Sequence, residues 1–215
     1  MPDRIAWNAA PLYLDDDLLV LEKPAGLLCV PGRGADKADC LSARAQACYP
    51  DACVVHRLDM ATSGLVLMAR GGAMQAALGT AFAQRAVHKR YEALVHGSLP
   101  HGHGEIDLPL CLDWPNRPKS HVNRMHGKPS VTRWQRLGAG PPTANGSATT
   151  RLALFPLTGR SHQLRVHLQA LGHPIVGDAL YHPDGAPRLM LHACTLQFTH
   201  PRHGITLMVQ SPVPF

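Results

Sequence analysis

The residues of this chain best suited to chemistry gather around one carboxylate. Asp59 lies in the stretch Val55-His56-Arg57-Leu58-Asp59-Met60-Ala61-Thr62-Ser63-Gly64-Leu65-Val66-Leu67, where a polar turn separates two apolar segments. Turns of this kind place functional groups at the rim of a rigid sheet. An ionised carboxylate held there can attack an electrophilic carbon or take a proton. From residue types alone, an aspartate closing its own turn through the backbone is the simpler account. A second group of candidates is cationic. From Trp114 to Arg136 the chain carries Arg117, Lys119, Arg124, Lys128, Arg133 and Arg136 and no acidic residue. Trp114 and Trp134 interleave with these charges, and a ring beside a cation suits unstacked bases. A solvated basic loop is the plainer account of the same residues.

Other chemistries find less support. His101-x-His103 and His162 with His167 offer imidazoles, but no HExxH occurs, and none of the six cysteines is in CxxC spacing. No metal site is therefore expected. A GxxxxGK[ST] loop and a GxGxxG turn are both missing, so no nucleotide cofactor is expected. The cysteines read as free thiols of a reducing compartment. No apolar run reaches the roughly 20 residues of a membrane helix, and residues 1–17 lack a signal-like apolar region. A cytoplasmic protein is expected. Net charge is +6, unevenly spread. Residues 1–60 hold six Lys/Arg and nine Asp/Glu, or −3; residues 61–215 hold fifteen and six, or +9. Such asymmetry points to a polyanionic partner.

Longer patterns sharpen this reading. HRLDxxTSGLxL around Asp59 is followed in order by four more motifs. They are Lys89-Arg90-Tyr91, Gly159-Arg160-Ser161-His162-Gln163-Leu164-Arg165-Val166-His167, Gly172-His173-Pro174-Ile175-Val176-Gly177-Asp178 and Arg188-Leu189-Met190-Leu191-His192-Ala193. Together they resemble the RluA family of pseudouridine synthases. The segment Asp113 to Lys119 is similar to the RluA branch, which lacks an N-terminal S4-type RNA-binding domain, and none is expected here. His88 before Lys89, and the weakly charged Ser120-His121-Val122, depart from the usual pattern and bear on RNA choice.

The resemblance implies a cofactor-free isomerase. It breaks the N1–C1′ bond of a uridine, turns the uracil and joins C5 to C1′. Its partner would be structured RNA, a tRNA anticodon arm, 23S rRNA or both. By resemblance Asp59 is the catalytic carboxylate, attacking C1′ or C6 or deprotonating C2′. A carboxylate in a partly dry pocket needs a nearby cation to keep its charge. The resemblance assigns that pairing to Arg165. Tyr91 would lie against the base, and Arg57 would fill the place of the extruded nucleotide, since a stacked uridine must leave its helix to react. His56, Arg160 and Leu191, with Arg117 and Lys119 of the basic run, complete the expected substrate contacts. Leu164 and Leu191 would form apolar walls. Two rivals remain. A non-catalytic RNA-binding protein would use the same basic surface. An N-glycoside hydrolase would need a second carboxyl group, and none occurs in the motif around Asp59 or in 159–171.

These residues need a scaffold. Residues 18–30 predict a strand, a Pro-Ala-Gly turn and a short strand. Asp39 can cap a helix over 40–48 with Leu41, Ala45 and Cys48 on one face. Residues 54–58 look extended, and 64–69 form a buried strand. Met74, Leu78, Ala81 and Phe82 mark a helix over 72–86, and 91–95 alternate as a strand. Residues 97–129 are rich in Gly, Pro and His and predict a surface excursion. Asn145-Gly146 predicts a hairpin turn between strands near 130–137 and 149–156. Ser161 can cap a helix with Leu164, Leu168 and Leu171 on its apolar face and Arg165 on the other side, ended by Gly172 and Pro174. A hairpin of 195–199 and 205–210 closes the chain. Strands and helices do not alternate regularly, so the expected class is α+β. The expected sheet is mixed, largely antiparallel and bent, flanked by helices and loops, with the pseudouridine synthase catalytic fold and a central RNA-binding cleft. One domain over 1–215 and a monomer are expected.

Overall fold

In the computed structural model, which describes residues 7, 10–34, 37–100 and 102–215, the apolar alternations become strands and the helical spacings become three helices. In chain order these are β1 (Tyr13–Leu14), β2 (Leu18–Lys23), α1 (Leu41–Cys48), β3 (Ala52–Val54), β4 (Ser63–Arg70), α2 (Gly72–Ala83), β5 (His88–His96), β6 (His103–Asp107), β7 (Leu110–Leu112), β8 (Ser120–Val122), β9 (Val131–Ala139), β10 (Thr149–Pro156), α3 (Gln163–Ala170), β11 (Leu191–Thr199) and β12 (Thr206–Gln210). The class is α+β, with every strand register given below antiparallel. The chain forms two compact units, Met1–Lys89 with Ala193–Pro212, and Arg90–His192 with Val213–Phe215.

In the first unit the strands run β1-β2-β4-β11, with β3 on β4 and β12 on β11. β2 and β4 pair from Leu18↔Ala69 to Lys23↔Gly64. Both are buried along nearly their whole length, which explains their continuous apolar runs. Leu18, Val20, Leu65, Leu67, Leu196 and Phe198 form one core, into which α2 inserts Met74 and Leu78. Arg85 turns at a positive φ of 60° just past the end of α2. α1 buries Leu41 and Ala45, but its cap differs from expectation. Cys40 Sγ, not Asp39, accepts from the Ala43 amide, while Asp39 pairs with Arg44. The expected strand over 54–58 is reduced to β3, leaving Val55–Asp59 irregular.

In the second unit β5-β10-β9-β6 pair antiparallel, with only β9 and β10 consecutive in the chain. Cross-strand partners share a face. Tyr91, Leu154, Trp134 and Gly104 therefore make one row, and Glu92, Ala153, Gln135 and His103 a row on the opposite side. α3 packs on the first side through Thr132, whose hydroxyl meets Gln163 Nε2 at 3.0 Å and His167 Nδ1 at 2.9 Å. α3 is buried from Gln163 to Leu168, Arg165 on the side away from Leu164 and Leu168 included, whereas Leu171, expected on the apolar face, is exposed. Its cap is also unexpected. His162 takes the N-cap in the left-handed region (φ 55°), and Gln163 Oε1 accepts from the Arg160 amide. Asn145-Gly146 does turn the chain, but inside the longer loop between β9 and β10 and not as a two-residue hairpin. β7 and β8 pair as a separate ribbon within the predicted excursion.

Candidate active site

The candidate carboxylate sits in the first unit. Asp59 is half-buried between exposed Arg57 and Met60, with Leu58 turned into the core. Two neighbouring segments hold its turn. The ammonium of Lys23 is fully buried and donates to three carbonyl oxygens, Pro24 and Leu27 at 2.8 Å and Met60 at 3.0 Å. The Gly26 amide donates to the same Met60 oxygen at 2.9 Å. One charged group thus ties the Pro24–Leu27 turn to the peptide that follows Asp59. Downstream, Gly64 has φ +114°, and a Cβ there would lie 2.3 Å from Ala193 O. Only glycine lets β4 approach β11 so closely. Thr62 contributes a buried hydroxyl with no hydrogen-bond partner among the described residues. An orphan of this kind costs about 1–3 kcal/mol.

His56 supports the same turn from beneath. Its Nε2 accepts from the Leu67 amide at 2.9 Å, and its ring stacks on Phe82 with centroids 4.6 Å apart. An accepting Nε2 requires the neutral tautomer with its proton on Nδ1. Burial, and then the nearby Lys89 ammonium, push its pKa down to about 3.

The second unit holds the candidate cation. Arg165, fully enclosed, donates from Nε to Asp178 Oδ2 at 2.8 Å and from Nη2 to Asp178 Oδ1 at 2.6 Å. Asp178 Oδ1 also accepts from the amides of Leu180 and Tyr181 at 3.1 and 3.2 Å. Tyr181 places its ring 5.1 Å from the Arg165 guanidinium carbon. Gly177 allows this segment to close, because a Cβ there would sit 1.8 Å from Arg188 O. Asp178 and Tyr181 were not singled out from the sequence. The only signal was that Asp178 ends the Gly172–Asp178 motif. Tyr91 is half-buried on β5 beside fully buried Ala93 and Val95, and Leu191 is buried. His192 next to it is enclosed. Burial, and then Arg188, opposed by Glu92, lower its pKa to about 4.

The basic run divides. Trp114 is 65% exposed with the Arg117 guanidinium 4.6 Å above its ring, whereas Trp134 is 7% exposed and packs under Gly104. Trp134 is a core residue, so of the two tryptophans only Trp114 offers a stacking surface. Lys119 is half-buried, and Arg160 is exposed beside Pro129 O at 3.4 Å.

His101 lies outside the described residues. His167 uses both nitrogens, Nδ1 toward Thr132 and Nε2 toward Leu108 O. Among the described residues Asp17, His200 and His203 come within ligand range of one another. Asp17, however, is taken by the Arg202 guanidinium, and His200 faces Asp15 and the 202–203 amides.

Comparison with known proteins matches residues 17–170 to the family of RNA pseudouridylate synthases. The dual-specificity RNA pseudouridine synthase RluA of Vibrio cholerae is 50% identical over 205 residues, covering 94% of this chain and 81% of that protein. The protein of the same name from Escherichia coli K12 is 46% identical over 218 residues, covering 100% and 97%. Among solved structures, human RNA pseudouridylate synthase domain containing 1 superposes with TM-score 0.78 at 30% identity, covering 96% of this chain and 84% of that one.

Proposed function

This chain belongs to the RNA pseudouridylate synthase family, an isomerase family, and we propose that it converts uridines of a tRNA anticodon arm and of 23S rRNA, with Asp59 as the reacting carboxylate. The observation that carries this reading is the Asp59 turn, held by Lys23 and Gly64 inside a chain so similar to dual-specificity enzymes along its length. Isomerisation involves no redox change and needs no group beyond these side chains. Asp59 attacks the nucleoside or removes its C2′ proton, dividing one difficult step into two. Arg165 is the cation assigned to keep that carboxylate ionised, and Tyr91 the ring set against the base. Leu191 and Leu164 are apolar and buried, which suits walls that exclude water from a detached uracil.

RNA contact is assigned to Arg57 and Met60 beside Asp59, to Arg160, and to the excursion carrying Trp114, Arg117 and Lys119. Exposed cations beside an exposed indole suit phosphates and an unstacked base. His56 takes a supporting place at the substrate, holding the Asp59 turn through Leu67. The same reading makes the protein a cytoplasmic monomer of one catalytic domain that works without metal. No described helix is long and apolar enough to cross a membrane.

The test is carbodiimide primer-extension mapping of total RNA with and without the gene. Loss of a discrete stop in tRNA and another in 23S rRNA is the expected outcome, restored by the wild-type gene and not by Asp59→Asn. Restoration by Asp59→Asn would remove Asp59 from the chemistry. Release of free uracil from RNA by the purified protein would replace isomerisation by hydrolysis.

A further inference from the structure

The structure assigns Tyr181 a role as a positioning residue, tying the foot of the basic excursion to the Arg165 guanidinium. RNA docking and placement of the catalytic cation then share one side chain. This rests on the function proposed above for Arg165 and for the excursion. Three sets of contacts converge on Tyr181. Its Oη accepts from the Ser120 amide at 2.8 Å, and Ser120 opens β8 directly after the Trp114–Lys119 segment. The same oxygen lies 2.8 Å from His162 Nδ1 at the entrance to α3. A phenol has one proton and two lone pairs, so it can accept from Ser120 and donate to His162 together. The ring lies within cation–π range of the Arg165 guanidinium, at 5.1 Å. The Tyr181 amide donates to Asp178 Oδ1, the oxygen that also accepts from Arg165 Nη2.

These contacts divide by atom. The hydroxyl serves the excursion and the helix entrance, while the ring and amide serve the ion pair. Ser120 is 5% exposed, so water does not readily replace Oη as acceptor for its amide. A tyrosine that merely filled space would need the ring but not the hydroxyl. Tyr181 therefore separates RNA docking from catalysis when it is trimmed in two steps.

The experiment uses the full chain and tritium release from a 5-tritiated uridine anticodon stem-loop transcript, with thermal unfolding in parallel. Tyr181→Phe removes two neutral hydrogen bonds and keeps the ring. It is expected to raise KM about five- to tenfold with kcat within about twofold. Tyr181→Leu also removes the ring and is expected to lower kcat by about tenfold in addition. Arg117→Ala alone raises KM, and its effect is less than additive with Tyr181→Phe because both act on one docked segment. Unchanged KM in Tyr181→Phe or in Arg117→Ala overturns the inference, as does strict additivity of the two. So does a Tyr181→Phe variant whose losses merely track its folded fraction. Asp59→Asn, run alongside, separates the two levels. If it turns over, the proposed function fails. If it is inactive while Tyr181→Phe behaves as wild type, only the role of Tyr181 falls.

Discussion

Replacing Asp178 by alanine tests the claim that Arg165 is held in place from within its own unit. The pair is almost fully buried, 4% and 1% exposed, and bidentate. Removing Asp178 takes from the enclosed guanidinium the carboxylate that clamps it, and breaking such a buried pair typically costs about 3–5 kcal/mol. The two charge-assisted bonds, at about 1.5–3 kcal/mol each, lead to the same range. Asp178 Oδ1 further holds the Leu180 and Tyr181 amides, so the upper half of that range is expected. For a chain of 215 residues, about 1 kcal/mol moves Tm by roughly 2–4 °C, so Asp178→Ala should lower Tm by about 8–20 °C. Asp178→Asn keeps the shape and one carbonyl oxygen but turns an amide donor toward a guanidinium donor, and should lose somewhat less. The double variant Arg165→Met with Asp178→Leu removes the charges together and should recover most of the stability while abolishing turnover. Urea unfolding of the wild type, Arg165→Met, Asp178→Leu and their double variant gives the coupling energy. A loss below about 1 kcal/mol in Asp178→Ala, or a double variant equal to the sum of the singles, would refute the reasoning.

Other outcomes follow from burial and register. His56 and His192 have folded pKa values of about 3 and about 4, below the roughly 6.5 of an unfolded histidine. The unfolded chain therefore binds protons first, and stability falls as pH drops below about 6.5, by about 2 kcal/mol for each histidine at pH 5. Urea unfolding at pH 7 and pH 5 measures this, and His56→Gln should shrink the difference by about 2 kcal/mol; equal stability at the two pH values would contradict it. Trp134→Ala should cost about 3–5 kcal/mol as a core truncation. Trp114→Ala should leave stability within about 0.5 kcal/mol while raising the KM for RNA roughly tenfold, the scale of one stacked base. Reversed roles in calorimetry and kinetics would show the basic run misassigned. Gly64→Ala puts a methyl carbon where Ala193 O stands 2.3 Å away, at φ +114°. It should destabilise by more than about 3 kcal/mol and abolish turnover, and a stable, active variant would show that β4 can retreat from β11.

The parts legible in the sequence are those specified by near neighbours. The run Leu18–Val20 and the run Leu65–Ala69 have enough continuous apolar surface to be strands in any context that buries them. Met74 and Leu78 mark α2 by spacing alone, because residues four apart share a helix face whatever lies opposite. The family was legible for a different reason, since the Asp59 turn is one of several long motifs in a fixed order. The errors fell where a side chain chooses between local and distant partners. Asp39 offered a cap for α1 but is held by Arg44, and at α3 the N-cap falls on His162 in the left-handed region and not on Ser161.

By itself the sequence determined the helices and the main strands, the α+β class and the family, because each is written in periodicity or in contiguous motifs. Tertiary structure alone decided that Arg165 is clamped by Asp178, that Trp134 belongs to the core while Trp114 does not, and that Lys23 braces the Asp59 turn. The physical reason is common to all three. Burial and ion pairing depend on which surfaces meet through space, and a cation or an indole in a basic run looks the same in sequence whether the chain later encloses it or leaves it in water.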